Sequence, residues 1–300
     1  NESQESLVRM VQSIKVLQFE SIVQTLNSVM KAPPQIYRPP PGLLLNISAL
    51  EFFYVYMRSV KGNNLSESWT SLLNLLRDSM TLSPPSLFML FCILYELVKV
   101  CSPYERKDKK DIRDLHDITT RLIDAISSIA GSCLEQTTWL RRNLAVKEEA
   151  TDELKDGSLT PTNGCSQYSV EAQSILAHCL VNLLDHCFGS QEKDKITQIV
   201  TTLMYNIIPY LKNHTPKNVP FFYACSSLLS TLTPYQYTRK AWRKDVFDLF
   251  LDPSFFQIDV SCLPMWKQIV DSLMSYDNIS FRELMSKFIF NPKIIPVLSR

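Results

Sequence analysis

The sequence predicts an all-α fold built of antiparallel helix pairs. In almost every segment the apolar residues recur at i, i+3, i+4 and i+7, the period of a helix with one buried face. Only 6 glycines occur in 300 residues, against an ordinary share of about 7%. A β-rich or doubly wound fold spends glycine on turns and phosphate loops, and this chain lacks the supply. The chain is 45% apolar and 20% charged, a globular balance that excludes global disorder. Its length suits one large domain, two ordinary ones, or a stretch of a repeat array.

The first expected element, over residues 1–32, is one long amphipathic helix. Its stripes are Leu7, Met10, Val11, Ile14 and Leu17, then Ile22, Val23, Leu26 and Met30. Pro33-Pro34 and Pro39-Pro40-Pro41-Gly42 break it with a stiff linker over 33–42, best read as a plain connector. A helical repeat segment follows over 43–146. Its first helix, about Leu43 to Val60, is rich in aromatics and ends at Lys61-Gly62-Asn63-Asn64. The next carries Trp69, Leu72, Leu73 and Leu76 on one face. Ser83 then suits an N-cap, with Pro84 at the first helical position, where its missing N–H costs nothing. That helix is apolar nearly all round and belongs in the centre of the packing.

Residues 105–117 carry five acids and five bases, the mark of a solvated turn and helix start. The following helix shows Leu115, Ile118, Leu122, Ile126 and Ile129, with Gly131 at the expected C-cap. Another helix, about Cys133 to Val146, bears Trp139. Residues 147–166 turn acidic and polar and hold Gly157, Pro161 and Gly164, so an acidic disordered loop and domain boundary are expected there. A second repeat segment spans 167–290, in pairs at about 168–188 with 190–211 and 219–232 with 234–251. Helices at 262–276 and 280–290 follow; Ser280 and Glu283 match a capping box. Residues 291–300 form an atypical tail. Short loops between antiparallel helices suggest a HEAT- or armadillo-like α-solenoid.

Several function classes fall away. Lys plus Arg (31) and Asp plus Glu (30) nearly cancel, so no global field steers the chain to nucleic acid. The longest apolar run, Leu87 to Tyr95, is less than half of the roughly 20 residues a bilayer requires. No transmembrane span is expected, and the acidic opening does not read as a secretory signal. Eight cysteines without a C-x-x-C pair suit a reducing, cytoplasmic setting. The N-x-S/T matches at Asn46, Asn64, Asn213 and Asn278 are then chance matches. Phosphate-loop, dinucleotide, zincin and nucleophile-elbow patterns are absent, so no enzyme, no catalytic residue and no cofactor is expected. His178-Cys179 and His186-Cys187 resemble metal ligands only at first sight. Cys179 and His186 lie two turns apart, about 10 Å, too far to share one ion.

The most distinctive local feature is Tyr235-Gln236-Tyr237-Thr238-Arg239-Lys240-Ala241-Trp242-Arg243-Lys244. Thr233 and Pro234 are placed to start a helix there, with Trp242, Val246, Leu249 and Phe250 as its buried stripe. Arg239, Lys240, Arg243 and Lys244 then fall on adjoining arcs. They form a candidate patch for anionic lipid or an acidic partner. The same charges equally suit a solvated helix face whose long stems cover the neighbouring core.

These words also carry a resemblance. Ile118-Thr119-Thr120-Arg121-Leu122-Ile123-Asp124-Ala125-Ile126, the run from Ile129 to Leu144, the basic decapeptide above, and Leu249-Phe250-Leu251-Asp252-Pro253-Ser254-Phe255-Phe256-Gln257 together resemble the Dopey family over about Ser6 to Met285. The match lies in the family's later half. After Met285 the text departs from the family pattern. The resemblance implies a scaffold of membrane traffic between endosomes and Golgi, cytoplasmic and peripheral on those membranes. It implies as partners a large protein related to Arf exchange factors and a phospholipid flippase, with ties to kinesin light chain and phosphatidylinositol-4-phosphate. The family offers no active site to carry over.

Overall fold

The computed structural model describes residues 2–14, 16–35, 44–103, 108–148, 163–188, 192–275 and 278–289. Among them are thirteen α-helices and no strand. The fold is all-α and solenoid-like, as the sequence predicts. The chain divides into two compact units, one of residues 1–126 with 182–189 and one of 127–181 with 190–300. Most of the expected Pro-rich linker and of the expected acidic loop, and all of the expected tail, lie outside the described residues.

In the first unit α1 (Glu2–Ser13), α3 (Leu45–Ser59) and α6 (Pro84–Val100) form one row, in which α3 packs on both neighbours. α2 (Phe19–Lys31) packs on α4 (Gly62–Glu67) and α5 (Trp69–Asp78) to form the other. With the short α4 and α5 counted as one element, α1, α2 and α3 each meet the helix two along, which is how stacked helix pairs make a solenoid. Phe53, Leu50, Trp69, Leu72, Leu90, Phe91 and Ile93 are fully buried between the rows. Polar links fix the second row. Partial burial pushes the Glu20 carboxyl up, but hydrogen bonds from Ser71, Ser68 and Gln24 outweigh it and hold the group low. Lys31 reaches Asp78 at 2.8 Å.

Three expectations change here. The long opening helix is two helices broken at 14–18, because α1 joins one row and α2 the other, and the chain must turn between them. Lys61 to Asn64 does not simply end a helix, for Gly62 begins the short α4. Ser83 is the N-cap residue of α6 and Pro84 its first position, as expected, yet Ser83 Oγ lies 3.2 Å from Ser86 Oγ and caps no backbone N–H.

Gly131 does not end a helix. It lies within α7 (Lys109–Glu148), where the position its Cβ would take is 3.2 Å from Asn206 Cβ. Glycine serves close approach here, not a turn. α7 up to Ile126 belongs to the first unit, where His116 Nε2 sits 2.7 Å from the carbonyl oxygen of Cys187 at the end of α8 (Asn163–Cys187).

In the second unit the same alternation recurs. α9 (Lys193–Leu211) packs on α10 (Val219–Leu232) and on α11 (Arg239–Phe250), while α10 packs on α12 (Leu263–Ser275). α13 (Asn278–Ile289) follows against α12. Ser169 of α8 donates to the carbonyl oxygen of Ala130, and so does Gln173 at 3.2 Å, which ties α7 to α8 through buried polar groups. Thr233 and Pro234 do not start the basic helix. Thr233 is the C-cap of α10, one 3₁₀ turn covers Gln236–Thr238, and α11 begins at Arg239. Thr238 there donates to the carbonyl oxygen of Leu232 at 2.8 Å and accepts from Trp242 Nε1 at 3.0 Å. Ser280 likewise lies inside the first turn of α13, not at its cap.

Candidate docking groove

The segment between α11 and α12 is a built feature, not slack. Two single 3₁₀ turns, Pro253–Gln257 and Val260–Cys262, follow one another. Each is nucleated by an aspartate. Asp252 accepts from Ser254 N and Asp259 from Ser261 N, both at 2.9 Å, and each also accepts from the same serine's hydroxyl. Aspartate caps of this kind replace backbone turns with a side chain. The serine hydrogen bonds hold both carboxyls below the usual range.

These turns press Phe255 inward. Its ring centroid lies 4.6 Å from that of Trp266 and 5.0 Å from that of Phe250, both edge-on, the geometry aromatic pairs favour. Trp266 is anchored in turn to α10, donating from Nε1 to Ser226 Oγ at 3.0 Å. Gln268 of α12 donates to the carbonyl oxygen of Ser230 at 3.1 Å. Behind this rigid floor, Phe256, Val260 and Leu263 remain exposed, Val260 by 75% and Leu263 by 50%. Together with Val270 of α12 and Leu284 of α13 they line an open apolar groove of about 840 Å³. Among the described residues its only charged lining groups are Lys267 and Asp271 of α12. Ile258 is shared with a smaller hollow of about 280 Å³ formed by His214, Phe222 and Asp259. Burial against Phe222 and Phe255 pushes the His214 imidazole below its ordinary value, although Asp252 pulls the other way.

The four basic residues singled out in the sequence part company. Arg239 points toward α12, its guanidinium 3.5 Å from the carbonyl oxygen of Leu273. Arg243 pairs with Glu283 of α13 at 2.9 Å and lies over the Phe247 ring at 4.9 Å. Lys287 joins the same carboxylate at 2.9 Å, and the two cations, with Lys287 the stronger cause, hold Glu283 below its usual value. Lys240 and Lys244 are exposed. The structure turns the two arginines toward different neighbouring helices and leaves the lysines in solvent. Among the described residues no group of three His, Cys, Asp or Glu side chains comes together as a metal site, and no helix is long and apolar enough to cross a membrane.

The family model for the DOP1 C-terminal region matches residues 52–295 of this chain. The chain belongs to the DOP1, or Dopey, family. The Dopey match reaches residue 295, so the departure expected after Met285 is overturned. The DOP1 homolog of Drosophila melanogaster is 58% identical over 285 residues, 95% of this chain and 11% of that protein. DOP1B of Mus musculus is 38% identical over 301 residues, 95% of this chain and 13% of the relative. Protein pad-1 of Caenorhabditis elegans is 26% identical over 382 aligned residues, 97% of this chain and 16% of the relative. The chain thus spans a small part of the Dopey proteins it matches. No solved structure matches it.

The groove was not read from the sequence, although one of the Dopey words, 249–257, contains half of its connector. The signal was present in two Asp-x-Ser turns, at 252–254 and 259–261, with apolar residues at 256 between them, 260 within the second and 263 after it. Those three fit none of the buried stripes, since α12 already buries Trp266, Ile269 and Leu273.

Proposed function

We propose that this chain is a non-enzymatic scaffold segment in membrane traffic between endosomes and Golgi, and that it acts by holding protein partners. One observation carries the reading: the groove beside α12 is apolar, open and held in shape by its own hydrogen bonds. A preformed apolar site loses little ordering entropy on binding, and an exposed patch of this character marks an interaction surface. Family membership supports the trafficking context. The partners it suggests are a large protein related to Arf exchange factors and a phospholipid flippase. The test is co-precipitation of those two from cells expressing the tagged chain, with Val260→Asp and Leu263→Asp as variants. Both positions are exposed, so folding tolerates the charge. Loss of capture in both variants is expected, and undiminished capture by folded variants overturns the reading.

A second reading is a peripheral membrane module that recognises an anionic phosphoinositide through the basic face of α11. Its support is the exposure of Lys240 and Lys244 on successive turns. Arg239 and Arg243 lend it less, being turned toward α12 and α13. Binding to vesicles containing phosphatidylinositol-4-phosphate that falls with added salt, and is lost in Lys240→Glu/Lys244→Glu, is the expected outcome. Binding insensitive to both refutes it.

A further inference from the structure

The groove carries more information than its apolarity. Its wall is one face of α12, on which Leu263, Lys267, Val270 and Asp271 follow at helical spacing over about 12 Å. Lys267 and Asp271 stand four residues apart, yet among the described residues neither takes part in an ion pair. Lysine before aspartate is the less favourable order for pairing within a helix. Both charges therefore face outward from an apolar trough, one positive and one negative, about one helical turn apart.

We infer that the groove takes an amphipathic helix of a partner protein, its apolar stripe seated on Phe256, Val260 and Leu263, with an acidic residue against Lys267 and a basic residue one turn away against Asp271. This deepens the scaffold reading and rests on it. Three features select that occupant. Residues i and i+4 of a second helix reproduce the one-turn spacing of the two charges. α12 already accepts a helix at its side, packing on α10, and helix-in-groove binding uses such i, i+4, i+7 anchors. An anionic membrane surface fits less well, because the two wall charges cancel and leave no net attraction.

The experiment uses the 300-residue chain and three fluorescein-labelled helical peptides of about 16 residues. All share a leucine stripe at i, i+4 and i+7. Their two flanking positions carry Glu and Lys, Glu and Glu, or Lys and Lys; the Glu/Lys peptide is an equal mixture of the two orders, so that either direction of lying is sampled. Fluorescence anisotropy of the unaltered chain is expected to favour the Glu/Lys peptide by about threefold, the scale of exposed ion pairs. Asp271→Lys moves the preference to Glu/Glu, and Lys267→Asp moves it to Lys/Lys. Because each variant gains a ligand as it loses one, misfolding cannot imitate the result.

Equal affinity for all three peptides, abolished by Leu263→Asp, overturns the charge-reading inference while the scaffold reading stands. Absence of any peptide binding overturns the inference as well. Binding to vesicles of phosphatidylcholine and phosphatidylserine, with none to peptides, overturns inference and scaffold reading together. Two further outcomes assign the groove elsewhere and overturn the inference. One is a concentration-dependent dimer lost in Leu263→Asp; the other is peptide binding that appears only after residues 291–300 are removed.

Discussion

Gly131 and Asn206 show how a single missing methyl group sets a packing distance. Alanine is the better helix former by about 1 kcal/mol at an exposed position. At 131, however, its Cβ would meet the Cβ of Asn206 at 3.2 Å, an atom fixed to the backbone that cannot swing away. Overpacking of this kind costs about 1–3 kcal/mol. Gly131→Ala is therefore expected to lower stability by about 1 kcal/mol net in urea unfolding, and Asn206→Gly to recover it. A stabilised Gly131→Ala would show that α7 and α9 can part freely. Thiol chemistry is also set residue by residue. Burial pushes Cys187 up to about 12 and raises Cys225 well above its ordinary value. Since the thiolate is the reactive form, both are expected to resist a disulfide reagent in the folded chain and to react at once in denaturant. Mass spectrometry of the labelled peptides distinguishes the two states. The sequence showed both residues as helical and apolar-flanked, which is enough to anticipate burial. It gave no sign of Gly131's role, because close approach depends on a partner 75 positions away.

Among the elements, the connector from 251 to 262 responds to pH through His214, which lies against Phe222 and Phe255. Its imidazole is held below the ordinary 6.5 by burial, with Asp252 opposing. The unfolded chain thus takes up a proton there before the folded chain does. The stabilisation is complete above pH 6.5 and declines as pH falls below it. Asp252 acts in a separate window. Its carboxyl is lowered chiefly by Ser254, so its contribution persists above the usual carboxylate range and fades only as the pH falls through its lowered folded value. Melting temperatures at pH 7.5, 6.5 and 5.5 are expected to drop more for the native chain than for His214→Gln. Equal slopes would remove His214 from this account. The helices themselves were legible, because a buried stripe at period 3.6 needs no knowledge of its partner. Their ends were less so. Thr233 and Pro234 look like a helix start, but Thr238 takes over because its hydroxyl satisfies Leu232 and Trp242 together.

Across the whole molecule, charge balance has a direct consequence. A net charge of +1 and an isoelectric point near 7.7 leave little mutual repulsion between copies at neutral pH. Solubility at low ionic strength is expected to be lowest near pH 7.7 and to rise on either side, as light scattering would report; a flat profile would contradict this. The solenoid-like architecture was readable from helix pairing and short loops alone. The groove was not, since periodicity marks what a helix buries and is silent on what two 3₁₀ turns leave uncovered. The rows described above impose a further rule. With α4 and α5 counted as one, α1 packs on α3, α3 on α6, α9 on α11 and α10 on α12, each two places along, so the order of helices within a unit behaves like a reading frame of two. Adding or losing a single helix would transfer every later helix of that unit to the opposite row and set solvent-facing residues against the core. Adding or losing a pair would leave all later faces in phase.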